Sequence, residues 1–409
     1  MKNTRAYPWI VVGLLWGVAL LNYMDRQMLS TMRESMQIDI VELASAERFG
    51  NLMAIFLWIY ALMSPLAGAI ADRVSRKWLI VGSLFVWSLV TYLMGVAETY
   101  TQVYWLRALM GVSEALYIPA GLSLIADYHT GKSRSLAVGI HMTGLYTGQA
   151  IGGFGATVAA MFTWHTTFHW FGIIGMIYAI ILVFLLHDKK PDPTLEPISK
   201  EPKEKVPFFK GFIVLLSNIS FWVILFYFAA PSLPGWATKN WLPTLFQESL
   251  GVDMSVAGPI STITIAVSSF IGVIAGGALS DRWVQKNIRG RVYTGAIGLA
   301  LTIPSLLLLG FGQNYIAVFA GVLFGIGYGM FDANNMPILC QFVSSKYRAT
   351  AYGIMNLVGV AAGAYITQLL GGLTDDGNLG MGFALLAGVV MIALALQLYF
   401  LRPTTDNME

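Results

Sequence analysis

Gly68-Ala69-Ile70-Ala71-Asp72-Arg73-Val74-Ser75-Arg76-Lys77 lies between two long apolar runs. It nearly recurs 209 positions later as Gly277-Ala278-Leu279-Ser280-Asp281-Arg282-Trp283-Val284-Gln285-Lys286. Gly68, Asp72, Arg73 and Lys77 match Gly277, Asp281, Arg282 and Lys286. A charged loop that repeats inside an otherwise apolar chain predicts two similar membrane-spanning halves.

Working outward, the chain is 56% apolar and 11% charged, against the about 25% charged residues of a soluble domain. The stretches 6–24, 49–71 and 78–97 carry no charge and approach the roughly 20 residues a spanning helix needs. Twelve spans are predicted, near 8–30, 49–71, 78–97, 100–127, 135–158, 167–187, 213–245, 256–280, 292–310, 315–343, 349–373 and 380–401. Segment 188–212 breaks the series. Its Pro191, Pro193, Pro197, Pro202 and Pro207 stand among charges, a composition that cannot bury enough apolar surface to fold alone. The expected organisation is a six-helix bundle over 1–187, a cytoplasmic linker over 188–212 and a second six-helix bundle over 213–409.

Of the 25 Lys and Arg, only Arg26, Arg33, Arg48, Arg107 and Lys239 fall outside the segments on the side of the linker. That bias predicts both chain ends in the cytoplasm. Lys2 and Arg5 precede the first apolar run as in a signal peptide, but the run is too long and no small-residue cleavage pattern follows; it is read as a retained helix. A second echo, Arg134-x4-Gly139-Ile140 and Arg348-x4-Gly353-Ile354, has an offset of 214 and pairs the same two halves. The single Cys340 excludes an internal disulfide and a cysteine metal cluster.

With these motifs, Gly68-x3-Asp72-Arg73-x2-Arg76-Lys77 above all, the chain resembles the major facilitator superfamily. The resemblance implies an all-α membrane protein of twelve helices in two pseudo-symmetric bundles that rock about a midplane site. Asn22-Tyr23-Met24-Asp25-Arg26, Arg107-x3-Gly111-x2-Glu114-Ala115 and Trp241-Leu242-Pro243 are similar to the anion:cation symporter branch, which includes hexuronate and galactonate carriers and sialin. That implies proton-coupled import of a small organic anion, such as a sugar acid, with protons as the coupling ion and no cofactor. The first two motifs also resemble the spinster lipid carriers, the rival within the superfamily. Gly144-x3-Gly148-Gln149-x2-Gly152-Gly153 is similar to a motif of drug antiporters, except that Gln149 stands where Pro is expected.

An ionisable group inside a bilayer costs about 2.5–3.5 kcal/mol at a helix centre and needs a partner, water or a job. Asp25, Arg26, Arg107 and Glu114 are the four such groups of the first half. Arg107 and Glu114 are two helical turns apart and share a face, separated by roughly 10 Å along the axis. Asn22 and Arg26 also share a face. The functional reading gives Arg107 a substrate carboxylate, since a guanidinium binds carboxylate in two parallel hydrogen bonds. It makes Asp25 and Glu114 proton carriers, with Arg26 holding Asp25. The alternative is a structural network that fastens helices. Asp332, Asn334 and Asn335 follow a glycine-rich stretch in span ten and suit sugar hydroxyls, or interhelical bonds. Tyr23, Tyr117, Tyr146 and Gln149 are further substrate-facing candidates on the first half. Tyr227, Trp241, Asn356 and Gln368 are their counterparts on the second. By resemblance, Gly68, Asp72 and Arg73, with Asp281 and Arg282 of the second copy, gate the cytoplasmic side. Arg76 and Lys77 are assigned to the positive-inside bias alone.

His165-x3-His169 has a metal-compatible spacing but no third ligand in view, so no metal site is expected. Trp164 and Trp170 beside it suit an aromatic belt. No Gly-x-Ser-x-Gly, His-Glu-x-x-His or phosphate-loop pattern appears, which weighs against a membrane enzyme or an ATP-driven pump; a channel or a sensor are the remaining rivals. The expected setting is a bacterial inner membrane, with the lipid bilayer and the anion as partners, no nucleic acid, and a monomer as the working unit.

Overall fold

The computed structural model describes residues 6–71, 73–129, 133–189, 213–344 and 347–403. Asp72 and most of the predicted linker lie outside the described residues. The helices used below are α1 (Tyr7–Leu29), α2 (Arg33–Met36), α3 (Ala46–Ala71), α4 (Arg76–Met94), α5 (Tyr100–Ala115), α6 (Tyr117–Tyr128), α7 (Arg134–Gly152), α8 (Gly155–Met161) and α9 (Trp164–Leu185), then α10 (Ile219–Leu250), α11 (Met254–Val284), α12 (Gly290–Phe311), α13 (Tyr315–Phe342), α14 (Arg348–Asp375) and α15 (Leu379–Phe400).

Eleven spans among the described residues are long and apolar enough to cross a bilayer; α5 and α6 together form one of them. The twelfth predicted span is α7 followed by α8, interrupted at Gly152-Gly153. It is less apolar because it carries His141, Thr143, Tyr146, Thr147 and Gln149, two of which line the central cavity described below. The break between α5 and α6 falls three residues before Pro119, which lacks the N–H that would continue the ladder.

With no apolar driving force between helices in lipid, the helices associate through small residues and close backbone approach. On α9, Ile173, Ile174, Ile177, Ile180, Ile181 and Phe184 are exposed, one stripe at helical spacing facing outward. The other stripe buries Gly172, Gly175, Ala179 and Leu182, and the two glycines meet Ser88 and Tyr92 of α4. Each half closes on itself through such contacts: α1 on α7 and α4 on α9, then α11 and α12 on α13.

The pseudo-symmetry reaches individual bonds. Arg134 donates to the carbonyls of His129 and Ala126, closing the end of α6. Arg348 donates to those of Val343 and Cys340, closing the end of α13. The donors and acceptors are offset by the same 214 positions as the sequence echo. Each arginine satisfies end carbonyls that the helix leaves without an intrahelical donor.

Arg76 and Lys77 do more than bias orientation. Arg76 pairs with Asp127 at the end of α6. Lys77 reaches the Val183 carbonyl of α9 at 2.6 Å, and Asp188 accepts from Ser75 and from the Lys77 N–H. The charged loop therefore ties α4, α6 and α9 together inside its own bundle. Trp164 is also no membrane-belt residue: it is 2% exposed and donates to Asp39. His165 bonds the Gly95 carbonyl and lies 3.4 Å from Asp39, and His169 packs on Tyr92. No cluster of metal-binding side chains occurs among the described residues.

Candidate functional site

The two bundles meet along two seams, α3 against α14 and α7–α8 against α11. The face where α1 begins and α15 ends is the end face; the other is the far face. Near the far face both seams are tight. A Cβ on Gly50 would lie 2.9 Å from the Thr367 carbonyl, and one on Gly371 would lie 2.7 Å from that of Ala46. In the second seam, a Cβ on Gly258 would lie 2.5 Å from the Gly153 carbonyl. Thr157 and Thr262 bond Ser255 and Ala150 across it.

Polar links add to this closure. Asp375, the last residue of α14, accepts from the backbone N–H groups of Ala46 and Glu47 at 2.6 and 2.9 Å and from the Ser45 hydroxyl at 2.8 Å. It thus caps α3 of the opposite bundle. Gln27 donates to the Lys239 carbonyl, and Gln247 donates to Glu34. Along the first seam, Asn356 bonds Ser64, while Gln368 bonds Asn51 and Trp58. Asn356 and Gln368 are therefore seam fasteners. Trp241 is fully buried and donates to the Thr367 carbonyl; Tyr227 is sealed against Phe331.

Towards the end face the seams are apart. A Cβ on Gly68 of α3, Gly139 of α7, Gly277 of α11 or Gly353 of α14 would meet nothing within 4 Å. These are the four glycines of the two sequence echoes. Arg73 and Arg282 are exposed, and among the described residues Asp281 pairs with Arg291 of its own bundle, at 3.7 Å. The gating candidates on the described chain are thus disengaged, as a conformation open on the end face requires.

Between the bundles lies a small cavity of about 80 Å³. Tyr23, Tyr146 and Gln149 line it from the first half, and Thr238, Lys239, Tyr328 and Asp332 from the second. Four of the sequence candidates are therefore brought together: Tyr23, Tyr146, Gln149 and Asp332. Asn335 stands behind Asp332 and donates to it at 3.1 Å. Asn334 is sealed, donating to the Met330 carbonyl. Tyr117 is fully buried, with its hydroxyl on the Leu15 carbonyl and its ring against Trp87 and His141; it is a packing residue that does not reach the cavity.

The charged quartet stands one layer behind. Arg26 donates to Glu114 at 2.5 Å, and its guanidinium is flanked by the rings of Tyr23, Phe56 and Tyr60 at 5.0, 4.9 and 4.6 Å. Arg107 lies against Phe56, 4.5 Å from the ring centroid, and donates to the Met110 sulfur. Asp25 accepts from Thr91 of α4. Asn22 faces Glu114 but completes no hydrogen bond. Arg107 is 4% exposed, and Glu114 and Asn22 are 0%. None of these four residues lines the cavity.

Three expectations are corrected here. Arg107 does not reach the cavity, because the helix face it shares with Glu114 turns into the bundle. Arg26 holds Glu114 and not Asp25, since Asp25 points towards α4. Asn22 is packed inside with them. The two acids and two arginines balance in formal charge. Their hydrogen bonds are incomplete: one oxygen each of Asp25 and Glu114, Nη2 of Arg26 and Nε of Arg107 are buried with no protein partner. Buried polar networks are costly when partly satisfied.

Sequence reasoning missed Lys239, Thr238 and Tyr328 in the cavity, and the Phe56–Tyr60 aromatic cage. For Lys239 the signal was present: it falls inside the predicted span 213–245. For Phe56 and Tyr60 there was none, since aromatic residues four apart in an apolar helix mark packing as readily as a cation cage.

Two pseudo-symmetric helical bundles around a central cavity with charged and hydroxyl-bearing residues in its wall, closed at one face and parted at the other, define a membrane carrier. The Major Facilitator Superfamily model matches residues 15–367 and 276–408, and the chain belongs to that family. It is 26% identical to the hexuronate transporter of Bacillus subtilis (strain 168), over 96% of this chain and 94% of that one. It is 24% identical to a probable galactarate/D-glucarate transporter of Escherichia coli (strain K12), over 100% and 96%. It is also 26% identical to protein spinster homolog 1 of Xenopus tropicalis, over 90% and 73%. Among solved structures, a bacterial homolog of the human lysosomal transporter spinster, inward-facing and unoccupied, superposes with a TM-score of 0.83 at 20% identity, over 99% of both chains. The chain is a transporter of this superfamily and not an enzyme.

Proposed function

We propose that this transporter imports a small organic anion, a sugar acid such as a hexuronate or aldonate, by proton symport and alternating access. In this reading the end face is cytoplasmic and the membrane is a bacterial inner membrane. The observation that carries it is the Arg26–Glu114 pair, sealed directly behind Tyr23 of the cavity wall. The quartet is balanced in charge. A proton taken up by Glu114 or Asp25 leaves it one positive charge in excess. In a low-dielectric interior that charge draws an anion to the other side of Tyr23. Loss of the anion then weakens the hold on the proton, which is the reciprocity that coupling requires. The hydroxyls of Tyr23, Tyr146 and Tyr328 and the amide of Gln149 suit the hydroxyl groups of a sugar acid. The names of the hexuronate and galactarate/D-glucarate relatives agree with this substrate class.

Glu114→Gln in proteoliposomes is the test. Uptake of radiolabelled D-glucuronate, D-galactonate or D-glucarate driven by an acid-outside gradient should fall to background, while counterflow exchange persists. Gradient-driven accumulation at the wild-type rate would remove Glu114 from the coupling. Transport of lysophospholipid with none of the sugar acids would replace the anion reading by the spinster-like one.

A further inference from the structure

The sugar-acid reading leaves the cavity's own charges without a role. Lys239 on α10 and Asp332 on α13 are the charged residues that line it. Both belong to the second bundle, on the wall opposite Tyr23 and Gln149. No ion pair within 4.0 Å joins them, so each faces the cavity with charge that its neighbour does not fully occupy. The environment of Lys239 is built to hold it there. Its ammonium lies 4.6 Å from the Trp236 ring centroid, and its backbone carbonyl is tied to Gln27 of the first bundle. The next residue, Asn240, is anchored on Thr367 of α14. Asp332 is steadied on the opposite side by Asn335. The titratable groups around Asp332 are Lys239, Tyr23 from α1, Tyr146 from α7, Tyr352 from α14, and Tyr227 and Tyr328 nearby. Lys239 is the one cation among them, and Arg26 of α1 acts on Lys239 as a like charge from the opposite wall.

We propose that Lys239 binds the carboxylate of the substrate and that Asp332 is its internal competitor, which gives way when it takes a proton. The assignment rests on the sugar-acid reading and deepens it. With Asp332 ionised, the ammonium of Lys239 has an anion across the cavity, and an arriving carboxylate meets like charge. When a proton from the water adds to a carboxylate oxygen of Asp332, the side chain becomes a neutral acid and a hydrogen-bond donor. The ammonium then lacks its counter-anion, and the substrate carboxylate supplies it. No bond beyond that O–H forms and none other breaks. Coupling is thereby placed in the ligand cavity itself, separately from the sealed quartet. A side chain that exchanges partners across an open cavity suits Lys, a flexible point charge, better than the rigid fork of Arg.

Binding to purified protein tests this by isothermal titration at mildly acidic and mildly alkaline pH, with D-glucuronate, D-galactonate and D-glucarate as probes. Wild-type protein should bind its sugar acid more tightly at acidic pH. Asp332→Asn should bind it more tightly than wild type at alkaline pH and keep only the smaller pH dependence that the quartet contributes. Lys239→Gln should lose about 10- to 100-fold in affinity, the worth of a charge-assisted hydrogen bond, and Lys239→Arg should recover part of the loss. On wild-type protein, the bound acid should protect Lys239 from an amine-reactive reagent, read by peptide mass, which keeps the test open if a variant does not fold. Unchanged affinity in Lys239→Gln, a wild-type pH dependence in Asp332→Asn, or unprotected Lys239 would each overturn the proposal while leaving the anion reading intact. Wild-type protein that binds none of the acids would overturn both.

Discussion

Asp375→Ala should open the far face. Asp375 caps the first two N–H groups of α3 from the opposite bundle and also accepts from Ser45. Those contacts exist only while the bundles are closed there, so they stabilise one conformation and not the other, the condition for shifting an equilibrium. Replacing an N-capping acceptor by Ala costs about 0.5–2 kcal/mol, and the lost carboxylate at a helix N-terminus adds about 0.3–1 kcal/mol. The Arg33 contact at 3.9 Å is half-exposed and contributes little. A total of about 0.8–3 kcal/mol corresponds to a shift of about 4- to 160-fold in the ratio of the two conformations. Spin labels at the exposed positions Glu98 and Gln313, one on each bundle at the far face, with Cys340 replaced by Ser, would read that ratio by double electron–electron resonance. The long-distance population should grow in Asp375→Ala and grow less in Asp375→Asn, which keeps one acceptor oxygen. A distribution in Asp375→Ala indistinguishable from the unsubstituted protein would show that the cap does not hold this face shut.

The seam glycines should behave oppositely according to which face they serve. Gly353→Leu adds a side chain in open space; melting of the purified protein should be unchanged while uptake into vesicles is lost, because the end face can no longer close. Gly258→Leu places a side chain against the Gly153 carbonyl and should enrich the far-open conformation in the same resonance experiment. Arg134→Gln and Arg348→Gln each remove the donors for two helix-end carbonyls and should each destabilise the fold by about 1–3 kcal/mol, measured by denaturation in detergent. A large effect at one site and none at the other would contradict the equivalence of the two echoes.

The positions of the spans, the duplication and the charged quartet were legible in the chain. Burial in a bilayer requires uninterrupted apolar length, and unpaired charge is excluded from it. Local spacing also placed Arg107 and Glu114 correctly on one helix face. What spacing could not decide was where that face points. A span buried on both sides has polar residues wherever a neighbour, a seam or the cavity offers a partner, and periodicity alone does not tell these apart. Only the packing of α1 on α7 and of α3 on α5 turned Arg107 and Glu114 inward behind Phe56, and only the packing of α10 with α13 brought Lys239 and Asp332 to one cavity. The same limit hid the state of the molecule. The motif glycines are equally able to touch or to part, and the choice between the two lies in contacts such as Asp375 on α3, more than 300 residues apart in sequence.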